Sequence, residues 1–270
     1  MDDIQFRKLL ETLDLSWEGY RKVRKGVKKR LRRYIKKQGY SNFDTYMQEI
    51  HLNPRLKAEC LRLMTVSISR FFRDQNLWQI LEKEVFPALL KKEKDRIEIW
   101  SAGCACGEEV YSLTIVLKRF EDIFKTLPDF EILATDLNPV YLEKARIGVY
   151  PKSSLKETPP EWLGRYFEPL AQGNLFRIAS FLRQNVTWKA HDLLSDPGQT
   201  TFDIIFLRNN LLTYYQEALK IPALCAIIDR LAPNGFLIIG SHEKLPPATP
   251  PLKAFKGHRY IFQKIDLSRR

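Results

Sequence analysis

Apolar positions recur at helical spacing through the first seventy residues. Phe6, Leu9, Leu10 and Leu13 share one face and predict a first helix. Val23, Val27, Leu31, Tyr34 and Ile35 draw a second stripe, within residues 21–38. Ser41-Asn42 reads as a cap for a helix over Phe43–Ile50, and Pro54 opens another that runs towards Met64. The period then changes. Arg96–Trp100 and Phe130–Thr135 are short apolar runs with strand character, as are Val186–Ala190, Asp203–Leu207 and Phe236–Gly240. Helical patterns lie between them: Glu108 to about Phe120, Pro139–Ala145, and Tyr215–Leu231, ended by Ala-Pro-Asn-Gly. Arg259–Lys264 is a last strand. Alternating strands and helices predict an α/β fold, a parallel sheet with helices on both faces.

The stretch 150–184, rich in proline and aromatic residues, breaks that alternation and predicts a small inserted subdomain. The expected organisation is therefore an all-helical N-terminal domain over 1–75, which includes a linker, and a second domain over 76–270 carrying the insertion.

Composition narrows the class. The 270 residues are 44% hydrophobic, enough for a sizeable core, which excludes a disordered chain. The longest apolar runs fall far short of the roughly 18–20 residues of a membrane span. Met1-Asp2-Asp3 lacks the basic start of a signal peptide, and the four cysteines contain no Cys-x-x-Cys pair, so a cytoplasmic protein is expected. The four histidines are scattered, and no metal site is expected.

Charge changes the picture once it is located. Eleven of the 44 basic residues fall in 21–40, which holds no acid; the other 33 nearly balance all 32 acidic residues. The stripe at 21–38 thus belongs to a cationic helix about 25 Å long, at 1.5 Å per residue. Like charges at i,i+4 weaken an isolated helix. Eleven uncompensated charges favour a docking surface for an anionic partner over a merely solvated face. Lys25, Lys29 and Arg33 are its candidate docking residues.

Open parallel sheets bind ligands at the carboxyl ends of their strands. After the first strand comes Ser101-Ala-Gly103-Cys-Ala-Cys-Gly107-Glu108-Glu109, whose glycines let a ligand approach the backbone. The spacing is G-x-x-x-G, not G-x-G-x-x-G, and two carboxylates open the next helix. They would repel a pyrophosphate and attract an amine and a sulfonium. The loop therefore fits S-adenosylmethionine better than a dinucleotide. Asp136 ends the second strand, where a carboxylate can accept ribose hydroxyls. His191-Asp192-Leu193 and Arg208-Asn209 end later ones.

These motifs, in order, resemble the CheR type of chemotaxis receptor methyltransferase, a protein-glutamate O-methyltransferase family. Thr65-x-x-x-Ser69-x-Phe71-Phe72-Arg73-Asp74 looks like its linker motif. Trp100-Ser101-Ala102 … Gly107-Glu108-Glu109-x-Tyr111-Ser112 is similar to its glycine loop, and Ala134-Thr135-Asp136-Leu137 … Gly148-x-Tyr150 to its next motif. Phe202-Asp203 … Arg208-Asn209 and Leu231-x-Pro233-x-Gly235 … Gly240-x-x-Glu243 complete a series that covers about residues 1–262.

The resemblance implies a Rossmann-like methyltransferase sheet with a small inserted β subdomain. It implies S-adenosylmethionine as cofactor and S-adenosylhomocysteine as product. Ser67, Ser69 and Arg73 would reach the cofactor from the linker, Gly103 and Glu109 from the loop, with Glu109 meeting the amino group. Asp136 would hold the ribose. Asp192, Leu193, Leu207 and Arg208 would frame the adenine or the methionine end. The implied partner is an acidic helical cytoplasmic region of a chemoreceptor, met by a monomer that neither enters the membrane nor stably binds nucleic acid.

The chain departs from the family pattern in three places. The family's active-site tyrosine stands five residues after the arginine, where this chain has Thr213; a one-residue insertion would make Tyr214 its counterpart, a catalytic residue beside Arg73. Gly-Ser-His-Glu at 240–243 inverts the usual His-Ser order. The tight turn Glu168–Asn174 lacks the longer loop of relatives that dock on a receptor tether, so tethered docking is not expected. Two other functions remain open: a nucleic-acid methyltransferase, against which stands the absence of [DN]-P-P-[YF] and of a Pro-Cys pair, and a cofactor-binding relative without turnover.

Overall fold

In the computed structural model, which describes residues 1–67, 69–91, 94–125, 128–170 and 173–266, five helices come first. They are α1 (Asp3–Thr12), α2 (Trp17–Tyr20), α3 (Arg24–Lys37), α4 (Phe43–Leu52) and α5 (Pro54–Met64). Their starts follow local chemistry: Asp2 and Gln5 form a reciprocal capping box, Asn42 accepts the Thr45 N–H, and Asn53 precedes Pro54 at the first helical position. The apolar faces meet in one core running from Phe6 to Met64, with Val27, Leu31 and Ile35 buried in it.

The cationic helix differs from expectation in two respects. It starts at Arg24, not 21, because residues 21–23 form the turn after α2, whose Tyr20 is drawn into the core. Nor are its charges all uncompensated. Asp3 lies 3.2 Å from Arg24 and 2.7 Å from Lys28, and Glu18 lies 3.7 Å from Arg21. Arg30 donates to the carbonyls of Leu63 and Thr65 at 2.7 and 2.6 Å. Lys25, Lys29 and Arg33 stay exposed on one face and make no ion pair among the described residues.

Residues 75–90, which periodicity leaves unassigned, are helical: α6 (Gln75–Ile80), one π turn (Leu81–Val85) and α7 (Phe86–Leu90). The sheet elements follow: β1 (Arg96–Ala102), α8 (Glu108–Phe124), β2 (Asp129–Asp136), α9 (Pro139–Ile147), β3 (Val149–Pro151), α10 (Pro160–Tyr166), β4 (Phe167–Pro169), β5 (Leu175–Ile178), β6 (Val186–Ala190) and β7 (Phe202–Leu207). Then come α11 (Leu211–Tyr214), α12 (Glu217–Asp229), β8 (Leu231–Ile239), β9 (Leu252–Ala254) and β10 (Ile261–Lys264). Seven strands form one sheet in the order β6-β2-β1-β7-β8-β10-β9, the first five parallel and the last two joined antiparallel. Alternate residues of its strands enter two cores: Ile97, Ile99, Ile204 and Phe206 face α8, while Trp100, Ile205 and Leu207 face α12.

The expected helix Tyr215–Leu231 is shorter at both ends. Tyr215 is extended and bridges Leu15, and Leu231 already pairs with Phe202, so β8 begins five residues before the predicted strand. The insertion holds the antiparallel sheet β3-β5-β4. Of the tight turn expected over 168–174, residues 171–172 lie outside the described residues.

The linker is clamped by its two phenylalanines. Phe71 packs edge-on against Tyr150 and Phe167, and Phe72 against Trp78 and Trp162. The Phe72 N–H donates 2.9 Å to the Ser112 hydroxyl, which in turn donates 2.7 Å to the Glu108 carbonyl. Ser112→Ala strands that buried N–H and should lower stability by about 1–3 kcal/mol in urea denaturation. An unchanged midpoint would show that the linker is held by its rings alone.

Candidate functional site

The chain moves outward from β1 to β2 and β6, then returns to β7 on the other side of β1. The switch point between β1 and β7 leaves a crevice at their carboxyl ends, the place where open α/β sheets bind ligands. There the structure has a cavity of about 1070 Å³, its open mouth included.

The loop after β1 forms one wall. Gly103 has φ +86°, and a Cβ there would overlap the Asn210 side-chain amide. Gly107, at φ +89°, leaves room for the Trp188 ring. The two glycines are therefore required by conformation as well as by close approach.

The two carboxylates that open α8 part company. Glu108 does not line the cavity and is buried; burial raises its carboxyl above the usual range, partly offset by its own backbone N–H and by the nearby hydroxyls of Ser69 and Ser154. Glu109 lines the cavity. One of its oxygens accepts from Ser101 at 3.0 Å and the other from Arg208 at 2.8 Å. Each carboxylate oxygen has two lone pairs, so both keep capacity for a ligand ammonium.

Arg208 is almost wholly buried, and its other terminal nitrogen lies 2.5 Å from Asp74 of the linker. Asp136 accepts the N–H groups of Ala105 and Asn138 at 2.9 and 2.8 Å. Burial raises its carboxyl above the ordinary aspartate range, and those two hydrogen bonds hold the rise in check. Asp192 accepts the Leu194 N–H at 3.0 Å.

Ser69, Arg73, Gly103 and Glu109 line the cavity, as do Asp136, Asp192, Leu193, Arg208 and Tyr214. Ser67 and Leu207 do not: Ser67 is half-buried on the linker, and Leu207 sits in the core on the α12 side. Thr213 stands at the family's tyrosine offset but donates its hydroxyl 2.5 Å to Glu243. Glu243 also accepts the N–H groups of Asn209 and Gly240 at 2.9 and 2.7 Å, closing the strand ends around the site. In the inverted Gly-Ser-His-Glu, Ser241 donates to Asp74 at 3.3 Å.

Leu15, Tyr20 and Tyr215 also line the cavity, and sequence patterns did not single them out for the site. Leu15 lies between α1 and α2 and Tyr20 ends α2, and no local motif marks a residue that reaches a turn some 200 residues downstream. Tyr215 falls at the start of the helix that the sequence predicts over 215–231. Tyr214 lies within the fields of Arg73 and Glu243, and Tyr215 within those of Asp192 and Asp136; burial raises the pKa of both phenols. Tyr214 and Arg73 are thus neighbours in the cavity lining.

A switch-point crevice with a glycine cradle, an acid on the β1 loop and another at the tip of β2 suits a ligand with an ammonium and a ribose. These features define a Rossmann-like methyltransferase whose cofactor is S-adenosylmethionine. Residues 67–261 match the family described as CheR methyltransferase, SAM binding domain. The chain is 34% identical over 236 residues to a chemotaxis protein methyltransferase of Listeria innocua, covering 87% of each chain. It is 31% identical over 225 residues to chemotaxis protein methyltransferase 1 of Pseudomonas aeruginosa, covering 81% of each. The chain belongs to the CheR methyltransferase family. No described helix is long and apolar enough to cross a membrane, and no described cluster of His, Cys, Asp and Glu could hold a metal ion.

Asp136→Ala should weaken S-adenosylhomocysteine binding by about 1–3 kcal/mol in calorimetry, the cost of stranding buried donors. Ribose hydroxyls need the ionised acceptor. Wild-type affinity should therefore be full above the raised pKa and fall as acid protonates the group, at a higher pH than an ordinary aspartate near 3.9 would require. That acid limb should flatten in Asp136→Ala; a limb that persists would assign it to another group.

Proposed function

We propose that this protein methylates glutamate side chains in an acidic helical region of a chemoreceptor and releases S-adenosylhomocysteine. One observation carries the choice of partner. The exposed cations Lys25, Lys29 and Arg33 lie on α3, and Arg30 of the same helix grips the carbonyls of Leu63 and of Thr65, which lines the cavity. An acidic helix complements that cationic face, and α3 is tied through Thr65 to the segment that lines the cavity. The names of the relatives, chemotaxis protein methyltransferases, support the same reading.

S-adenosylmethionine supplies, when bound, a methyl group activated by its sulfonium. The residues of the chain have the remaining tasks. A glutamate with a pKa near 4.3 is ionised at neutral pH, so no base is needed to make it a nucleophile. Holding it in line in a dry pocket is catalysis by orientation. Arg73, whose carbonyl accepts the Trp78 indole N–H at 3.0 Å, is assigned to hold that carboxylate by charge-assisted hydrogen bonds. Tyr214 keeps its proton, because burial raises its phenol pKa, and is assigned as a hydrogen-bond donor beside Arg73. Glu109 is assigned to the ammonium, Asp136 to the ribose and Asp192 with Leu193 to the base, with Ser69 and Arg208 holding the two walls together.

Tritium should pass from labelled S-adenosylmethionine into a chemoreceptor cytoplasmic fragment as base-labile counts. Arg73→Ala should cut that turnover at least tenfold with much less effect on S-adenosylhomocysteine affinity; equal losses would move Arg73 to cofactor holding. Reversing Lys25, Lys29 and Arg33 to Glu should abolish fragment binding and spare the fold, because Val27, Leu31 and Ile35 are untouched. Exposed charges act over roughly 8–10 Å at physiological salt, so added salt should weaken the fragment complex and leave cofactor affinity nearly flat. Methylation of duplex DNA or RNA in place of the fragment would replace this reading with the nucleic-acid one.

A further inference from the structure

Tyr214 hangs on a short turn that the N-terminal helices hold from outside the sheet. The Ser16 N–H donates 2.8 Å to the Tyr214 carbonyl, and the Gln216 N–H donates 2.9 Å to the Asp14 carbonyl. Leu15 and Tyr215 form a β-bridge between these bonds. The α1–α2 segment thus adds a minimal antiparallel pairing to the turn after β7, some 200 residues away in sequence.

Tyr20 completes the contact. It is 3% exposed, and its ring centre lies 4.9 Å from that of Tyr214 at an interplanar angle of 52°. Its hydroxyl donates 3.0 Å to the carbonyl of Met64, the last residue of α5 before the linker that carries Arg73. One side chain therefore touches the turn bearing Tyr214 and the start of the segment bearing Arg73. Gly19 permits the approach: a Cβ there would overlap the Thr213 carbonyl oxygen and come within 3.2 Å of the Tyr214 ring. The phenol of Tyr20 is held well above its ordinary pKa, chiefly by burial, so it remains a donor at neutral pH.

We propose that Tyr20 is a positioning residue for methyl transfer, its ring fixing the Tyr214 phenol in the cavity while its hydroxyl ties that ring to the head of the linker. This rests on the role given to Tyr214 above. The helical layer is then more than a docking platform. It forms part of the wall of the reaction site, and the pocket is incomplete without it.

The test uses the full chain with a chemoreceptor cytoplasmic fragment as substrate. Tyr20→Leu should lower kcat at least tenfold while leaving the KM for the fragment and the S-adenosylhomocysteine Kd within about twofold. Tyr20→Phe, which keeps the ring, should recover most of the lost kcat. Because Tyr20 is buried, Gly19→Ala gives an independent variant: alanine favours a helix by about 1 kcal/mol over glycine, yet it should reduce kcat by crowding the Tyr214 turn. The deciding comparison is a double-mutant cycle. In a Tyr214→Ala background, Tyr20→Leu should cause no further loss of kcat, since its effect passes through Tyr214. Full additivity of the two, or wild-type kcat in a folded Tyr20→Leu chain, overturns the inference while leaving the role of Tyr214 intact. Wild-type turnover in Tyr214→Ala removes that role and this inference together. Absence of methyl transfer by the wild-type chain overturns the glutamate methyltransferase reading, and with it any positioning role.

Discussion

The buried guanidinium of Arg208 organises the site. A cation at that depth must be paired, and its partners come from two distant segments: Glu109 at the start of α8 and Asp74 at the end of the linker. The strand end of β7, the glycine loop after β1 and the linker are thus joined at one charge. Removing a partner from such a buried pair typically costs 3–5 kcal/mol, because the other charge is left uncompensated. Asp74 accepts this position with a left-handed backbone, φ +62°. The carboxylate assigned to the ligand ammonium is also the one that anchors Arg208, so the geometry of the ligand site and the closure of the sheet's carboxyl edge are set by the same ion pair.

A second clamp repeats the device with an acid at its centre. Glu243 receives two backbone N–H groups and the Thr213 hydroxyl, binding the loop after β8 to the turn after β7. The two clamps fix the strand ends on either side of β7. Tyr214 projects from the turn between them and is backed by the helical layer, not by the sheet. The helix α3, the head of the linker and the loop after β2 are also joined: Arg30 grips the Leu63 and Thr65 carbonyls, and Asn138 donates to the Thr65 hydroxyl.

Much was legible in the sequence. Short apolar runs marked the five parallel strands and period-3.6 stripes most helices, because strands covered on both faces are apolar at nearly every position while a helix buries one stripe. Asp136, Gly103 and Glu109 could be picked out as strand-end chemistry, since the carboxyl edge of a parallel sheet is the binding edge whatever the ligand. The cationic helix and its apolar stripe were equally plain, whereas the packing of Phe71 and Phe72 that locks the linker came only from the tertiary contacts.

Tertiary structure alone decided the rest, for one physical reason: these features depend on pairs of groups far apart in the chain. Asp3 neutralises part of the cationic helix, which no window around 21–40 contains. Glu108 and Glu109 look alike in sequence, but one faces Ser69 and the other Arg208, a choice made by helix phase and by what packs above it. Leu231 is strand and Tyr215 is not helix because each has found a partner, Phe202 and Leu15, whose pairing overrides local propensity. Leu15 and Tyr20 join the cavity only because α1 and α2 fold back onto the turn at 213–216. Local pattern determined the elements and the edge at which the ligand binds; long-range packing determined which side chains meet there.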